Sequence, residues 1–201
     1  MISLNLVVNT KNWNKKDDIL DLTGYLKVKI NDADLPEDQF PNGFKIRIYE
    51  TVFEFLDLLN NTIKAVSGKK EAEEMPYIFQ AEFCYTGNFL DAMPIEKNRI
   101  KLIIRFNPAT VDEKFLLKAD KFSTETTIQE LATEIIALAI TAYDSFVEFD
   151  PDLEKRLDIM QQTICDSQEL LEKEFKIQLF PPPDANEWWC CRKEKSNHAS
   201  K

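Results

Sequence analysis

The chain has 201 residues, a formal net charge of −10, 44% hydrophobic residues and one histidine, His198, close to the polar C-terminal end. This length suits one domain with a sizeable core, and the acidic balance argues against sequence-independent binding of nucleic acid, which depends on clustered Lys and Arg. A single histidine and four glycines disfavour histidine-based nucleophile pairs, histidine metal sites and glycine-rich phosphate loops, so we expect no catalytic residues, no metal and no cofactor.

The first two thirds of the chain alternate between apolar and polar residues as strands do. In two of these segments lysine or arginine occupies one face, which indicates an antiparallel sheet with one solvated side. Pro94 and Pro108 are expected in the connections, where a missing backbone donor does no harm. The predicted strands are residues 2–8, 24–30, 44–48, 77–85, 99–106 and 114–119.

Three helices are expected. Thr51 and Glu54 have the spacing of a capping box, followed by an amphipathic stripe that ends near Gly68. Thr126 and Gln129 repeat that spacing before the broadest apolar face of the chain, centred on Leu131, Ile135 and Leu138. These side chains are therefore predicted to be nearly fully buried.

The third helix is predicted to begin at Asp150-Pro151, with Asp as N-cap and Pro at the first helical position. An apolar seam then recurs at steps of three and four residues, with Ser167 filling one position. We expect this seam to pack on the preceding helix.

Together these elements predict an α+β fold in which an antiparallel sheet of five or six strands packs against one mid-chain helix and a C-terminal helical pair. We expect a single domain over residues 1–180, strand-rich over 1–122 and helical over 123–177. Residues 181–201 follow as a C-terminal tail after a run of three prolines.

The four cysteines match no zinc-ligand spacing. Cys84 and Cys165 lie in apolar patterns and are predicted to be buried thiols, while Cys190 and Cys191 are adjacent. We therefore expect no disulfide. With no signal-peptide pattern and no apolar run long enough to cross a bilayer, we expect a cytoplasmic protein without a transmembrane segment.

Residues 143–174 contain ten acidic and three basic side chains, a net charge of −7. One interpretation is a docking surface for a basic protein, since complementary charge speeds association. The other is a solvated helix face. The candidate partner-binding residues are Asp144, Glu148, Glu154, Asp158 and Glu169.

Trp188 and Trp189 stand out in the tail, followed by two cysteines and two basic residues. Because exposed tryptophans are unfavourable, they are expected to cover an apolar patch of the domain or to insert into a partner. Lipidation of the adjacent cysteines is a third alternative. We include both tryptophans among the candidate partner-binding residues.

The leading functional hypothesis is a small acidic interaction protein that binds and inhibits a protein partner, as immunity proteins inhibit basic nucleases or toxins. A second hypothesis is an enzyme or small-ligand sensor with a pocket on the sheet, lined by Glu82, Tyr85, Arg99 and Arg105. A third is a structural subunit of a larger assembly. The sequence predicts no oligomeric state.

Overall fold

The computed structural model describes residues 1–14, 16–31, 33–34, 40–68, 78–83, 86–109 and 122–179. The fold is α+β, as the sequence predicted. The described strands belong to two separate antiparallel sheets, however, and not to the single sheet that the sequence led us to expect. One hydrophobic core takes side chains from both sheets and from the helices.

The first sheet is built around a central strand. Its strands are β1 (Ile2–Val7), β2 (Thr23–Ile30), β3 (Ala33–Asp34) and β4 (Phe44–Arg47). Strand β2 pairs with β1 on one side and with β4 and β3 on the other, always antiparallel. Period-two alternation buries the apolar residues of β1, β2 and β4 and leaves the alternate positions facing outward.

The second sheet has the strand order β5-β6-β7-β8. Its strands are β5 (Phe79–Glu82), β6 (Phe89–Glu96), β7 (Arg99–Arg105) and β8 (Ser123–Thr127). The sequence predicted β5 and β7, but it missed β6 and β8. Strand β6 contains Pro94, expected in a connection, and the proline sits beside a register shift in the ladder. The predicted strand at 114–119 lies outside the described residues.

Helix α1 (Ile48–Val66) begins three residues before the predicted capping box. It continues directly from β4, and the backbone N–H of Ile48 donates to the carbonyl of Leu22 at 3.1 Å. Thr51 therefore lies inside the helix and is buried, so the prediction that it caps the helix was wrong. Gly68 ends the element in the left-handed region, at φ +75°, as predicted.

Helix α2 (Ile128–Phe149), unlike α1, starts with a capping box, one residue later than predicted. Thr127 accepts from the backbone N–H of Glu130, and the Glu130 carboxylate accepts from the backbone N–H of Thr127. Gln129 takes no part in the capping box, because Thr126 lies inside strand β8 and Thr127 caps the helix.

The predicted third helix is divided in two. Asp150 caps a 3₁₀ helix (Pro151–Arg156), its side chain accepting from the backbone N–H of Asp152. Helix α3 (Asp158–Phe175) follows. Its seam, which includes the fully buried Ser167, is buried as expected, but it packs more extensively on α1 than on α2. The predicted seam, including its first part in the 3₁₀ helix, packs on the preceding helix as expected, and α1 is a further neighbour that the sequence did not predict.

The two sheets are joined at Asn31, which has a left-handed backbone, at φ +51°, a region that Asn tolerates. Its side-chain oxygen accepts from the Thr124 hydroxyl at 2.7 Å, and its side-chain nitrogen donates to the carbonyl of Ser123 at 3.0 Å. The end of β2 is thereby fixed to the start of β8. Inside the core, the rings of Phe44 and Phe83 stack with centroids 4.3 Å apart.

Candidate protein-docking face

The candidate acidic residues of α2 lie on its exposed side. Asp144 and Glu148 are one helical turn apart and both are exposed. Partial burial raises the pKa of the Asp144 carboxyl above its usual value. This carboxylate is therefore partly desolvated, and a cationic partner would relieve the cost of keeping it charged.

The remaining candidates lie on the 3₁₀ helix and on α3. Glu154, Asp158 and Glu169 are all exposed. Asp158 and Glu169 are eleven residues apart, about three turns, so they project from the same side of α3. The structure therefore brings the predicted acids into two groups, one on α2 and one that runs from the 3₁₀ helix along α3.

The sequence reasoning missed an apolar residue within the second group. Ile159 is 67% exposed, the highest value for a large apolar side chain within a described helix or strand. Asp166 lies seven residues further on, two turns away and on the same line as Ile159. We call Asp158, Ile159, Asp166 and Glu169 the α3 face. The signal was present in the sequence, since Ile159 lies outside the buried seam of α3.

Arg156, the cation just before the α3 face, is paired with an acid outside that face. Arg156 contacts Asp18 at 3.3 Å and so is held towards the N-terminal part of the chain. Within the described residues, Asp158 and Glu169 form no ion pair, and Asp166 accepts a hydrogen bond from Gln162. Among the described residues, the carboxylates of Asp158 and Glu169 thus have no cation of their own and can pair with charges from another molecule.

No metal centre emerges among the residues that the structure describes: no group of three or more His, Cys, Asp or Glu side chains there could hold an ion. In the same ranges, no helix combines the length and the apolar character needed to cross a membrane.

Cys165 on α3 is disulfide-bonded, and its partner cysteine lies outside the described residues. This corrects the prediction of a free thiol and of a protein without disulfides. The side chain is nearly buried, as its apolar pattern indicated. Burial does not distinguish a free cysteine thiol from a disulfide-bonded cysteine, however, because both side chains are apolar.

The residues proposed for a sheet pocket are engaged in other interactions. The Glu82 carboxylate accepts from the backbone N–H of Gly87 at 2.8 Å and holds the turn between β5 and β6. Arg99 pairs with Glu125 across β7 and β8. Tyr85 lies outside the described residues. Cross-strand ion pairs therefore form on this sheet, but Glu82 is not part of those described.

Arg105 has an unpredicted partner, Asp91. This carboxylate is only 5% exposed although it lies on the outer side of the sheet. It accepts from the Nε and Nη2 of Arg105 at 3.0 and 3.3 Å, and the guanidinium also lies 4.4 Å from the ring centroid of Phe89. The sequence missed this cluster because strand β6 was itself missed.

Trp188 and Trp189 lie outside the described residues, so their role as a partner anchor stays a prediction. Comparison with known proteins finds no matching family model, no matching curated protein and no matching solved structure. The functional argument therefore rests on the geometry and charge of this chain.

Proposed function

We propose that this protein binds a cationic surface of a protein partner through the α3 face, and that it acts by binding and not by catalysis. The observation that carries the proposal is Ile159, an aliphatic side chain that is 67% exposed on a helix side that also carries the exposed acids Asp158, Asp166 and Glu169. A solvated helix needs no such residue, whereas an interface core does.

The two kinds of side chain would contribute differently to binding. Unpaired carboxylates speed association with a basic surface and select against acidic ones. An aliphatic side chain seated in a pocket of the partner mainly slows dissociation, since its burial removes apolar surface from water. Glu154 and the α2 pair, Asp144 and Glu148, would extend the negative field around the α3 face.

Inhibition follows from the same chemistry when the partner is a nuclease or a toxin with a cationic active site. The carboxylates would then occupy positions that substrate phosphates otherwise take. Trp188 and Trp189 would add a second contact from the tail. We also propose a cytoplasmic location. Cytosolic thiol pools keep disulfides rare, so the Cys165 disulfide would be reduced there.

The test compares charge reversals of equal size. Asp158→Lys with Glu169→Lys changes the α3 face, and Asp17→Lys with Asp57→Lys changes two exposed acids elsewhere. The partner is captured from the source cells with the wild-type chain, purified, and its association measured at several salt concentrations. We expect the first variant to lower the on-rate at least tenfold and to flatten its salt dependence.

The control reversal should leave both quantities within about twofold of the wild type. Ile159→Ala should raise the off-rate with little change in the on-rate. Equal effects of the two reversals would show that only overall charge matters, and a partner indifferent to both the α3 reversal and Ile159→Ala would assign its binding to another surface.

A further inference from the structure

The outer face of the first sheet concentrates positive charge in this acidic protein. Lys27 and Lys29 on β2 and Lys45 on β4 are all exposed and point away from the core. The β2–β4 register places Tyr25 opposite Lys45. Alternate residues along a strand are about 7 Å apart and paired strands about 4.8 Å apart, so the three ammonium groups share one small surface.

The same face carries exposed apolar surface. Val7 on β1 pairs with Tyr25 on β2, and the two side chains are 40% and 37% exposed. Val7, Tyr25 and Lys45 therefore form one row across the three strands, flanked by Lys27 and Lys29. We call these five residues the basic sheet face. Its other described neighbours include the polar Asn5, which pairs with Lys27, and the backbone of Asp34 lies opposite Lys29.

We infer that the basic sheet face of one molecule docks on the α3 face of a second copy. Exposed lysines, Lys27 and Lys45 foremost, meet the carboxylates of Asp158, Asp166 and Glu169, and an exposed apolar row meets an exposed Ile159. Each face thus offers the charge and the apolar contact that the other lacks. This match in kind favours a second copy over an unrelated anionic partner.

The two faces cannot meet within one molecule. Helix α3 packs on α1 and α2, which share the hydrophobic core with the inner side of the first sheet, whereas the basic sheet face points outward. The contact is therefore head-to-tail, and a dimer leaves one face of each kind open, so that growth can continue beyond a dimer.

Net charge opposes this association but does not prevent it. Two molecules that each carry a net charge of −10 repel each other. Salt screens this repulsion between groups that are more than about 8 Å apart at physiological ionic strength. Facing ion pairs lie well within that length. The inference is independent of the proposed function, because an α3 face that binds no second copy remains available to a cationic partner.

The experiment uses neutralised faces, so that no reversed contact can replace the native one. The sheet variant carries Lys27→Gln, Lys29→Gln and Lys45→Gln. The helix variant carries Asp158→Asn, Asp166→Asn and Glu169→Gln. A control variant changes three exposed lysines on other surfaces, Lys11, Lys64 and Lys97, to Gln. Mass in solution is measured by sedimentation at physiological salt over a hundredfold range of protein concentration.

We expect the mass of the wild type and of the control to rise with concentration past that of a dimer, while the sheet and helix variants each stay monomeric. An equimolar mixture of the two variants should form a 1:1 dimer and nothing larger, because one intact junction remains. A monomeric wild type, self-association that either variant retains, or a mixture without the 1:1 dimer would overturn the inference.

Binding of a labelled single-stranded oligonucleotide by the monomeric wild type, lost in the sheet variant, would assign the face to nucleic acid.

Discussion

Ile135 lies at the centre of the buried side of α2 and has none of its surface exposed, as the sequence predicted. We expect Ile135→Ala to lower the free energy of unfolding by about 2–5 kcal/mol, because truncation removes buried methyl groups and leaves a cavity. The matched control is Ile159→Ala on α3, which should change it by no more than about 0.5 kcal/mol. Denaturant titration of both variants measures the difference, and a loss below ~1 kcal/mol for Ile135→Ala would place α2 outside the core.

Glu130 makes stability depend on pH at the start of α2. Hydrogen bonds from the Thr126 hydroxyl and the Thr127 backbone N–H hold the pKa of its carboxyl below the usual value near 4.5. A lowered folded-state pKa gives stabilisation that is present above the unfolded-state pKa and is lost as the pH falls through the folded-state pKa. We therefore expect Glu130→Gln to lose less stability than the wild type on acidification from neutral pH to about pH 3.

The measurement is the free energy of unfolding of both proteins across that range. Parallel curves for the wild type and Glu130→Gln would show that the carboxylate is no better stabilised in the folded chain than in the unfolded one.

At the scale of elements, the two threonines that the sequence assigned to helix starts behave differently. Thr127→Ala should cost about 1 kcal/mol, because it removes the side chain that caps α2. Thr51→Val should be neutral or stabilising, since the buried Thr51 hydroxyl has no hydrogen-bond partner among the residues that the structure describes and valine has nearly the same shape. Thermal and denaturant unfolding of the two variants tests this, and a destabilising Thr51→Val would reveal a partner for the hydroxyl.

Most of the helices and strands that have one apolar face could be located from the sequence pattern. The alternation in β2 and β4 and the apolar faces of the helices follow directly from burial. Strand β8, with the sequence STETT, carries no such pattern, because it pairs at the sheet edge and buries threonines. Strand β6 shows no clear alternation because the charged Asp91 is buried within it. That burial depends on an ion pair with Arg105 in a neighbouring strand, and such a pair cannot be deduced from the sequence of one segment.

The candidate site was predictable only in part. The acids of α2 and α3 were identified from charge alone, and their exposure was predictable because charged side chains are rarely buried. Ile159 was overlooked because an apolar residue in a helix is ordinarily assigned to the core. The basic sheet face was overlooked because its lysines lie on β2 and β4, whose pairing joins residues about 20 positions apart and is invisible in either strand alone.

For the whole molecule, the disulfide at Cys165 links stability to redox state. We expect a reductant to lower the unfolding free energy of the oxidised protein by about 2–4 kcal/mol, because the cross-link restricts the unfolded chain. Cys165→Ala should unfold at the same denaturant concentration with and without the reductant. Alkylation and mass measurement of the unreduced, denatured protein should find two modified cysteines in the oxidised form, and four would contradict the disulfide.

The outer edge of β1 is completed late in synthesis. The backbone N–H of Leu4 donates to the Glu134 carboxylate at 2.8 Å, across 130 residues of chain. At common rates of translation, Glu134 is added on the order of ten seconds after Leu4. During that interval the edge lacks its acceptor, and an unpaired edge is a template for pairing with other chains. The nascent chain is therefore open to misassociation at β1 until α2 has been made and Glu134 can accept from Leu4.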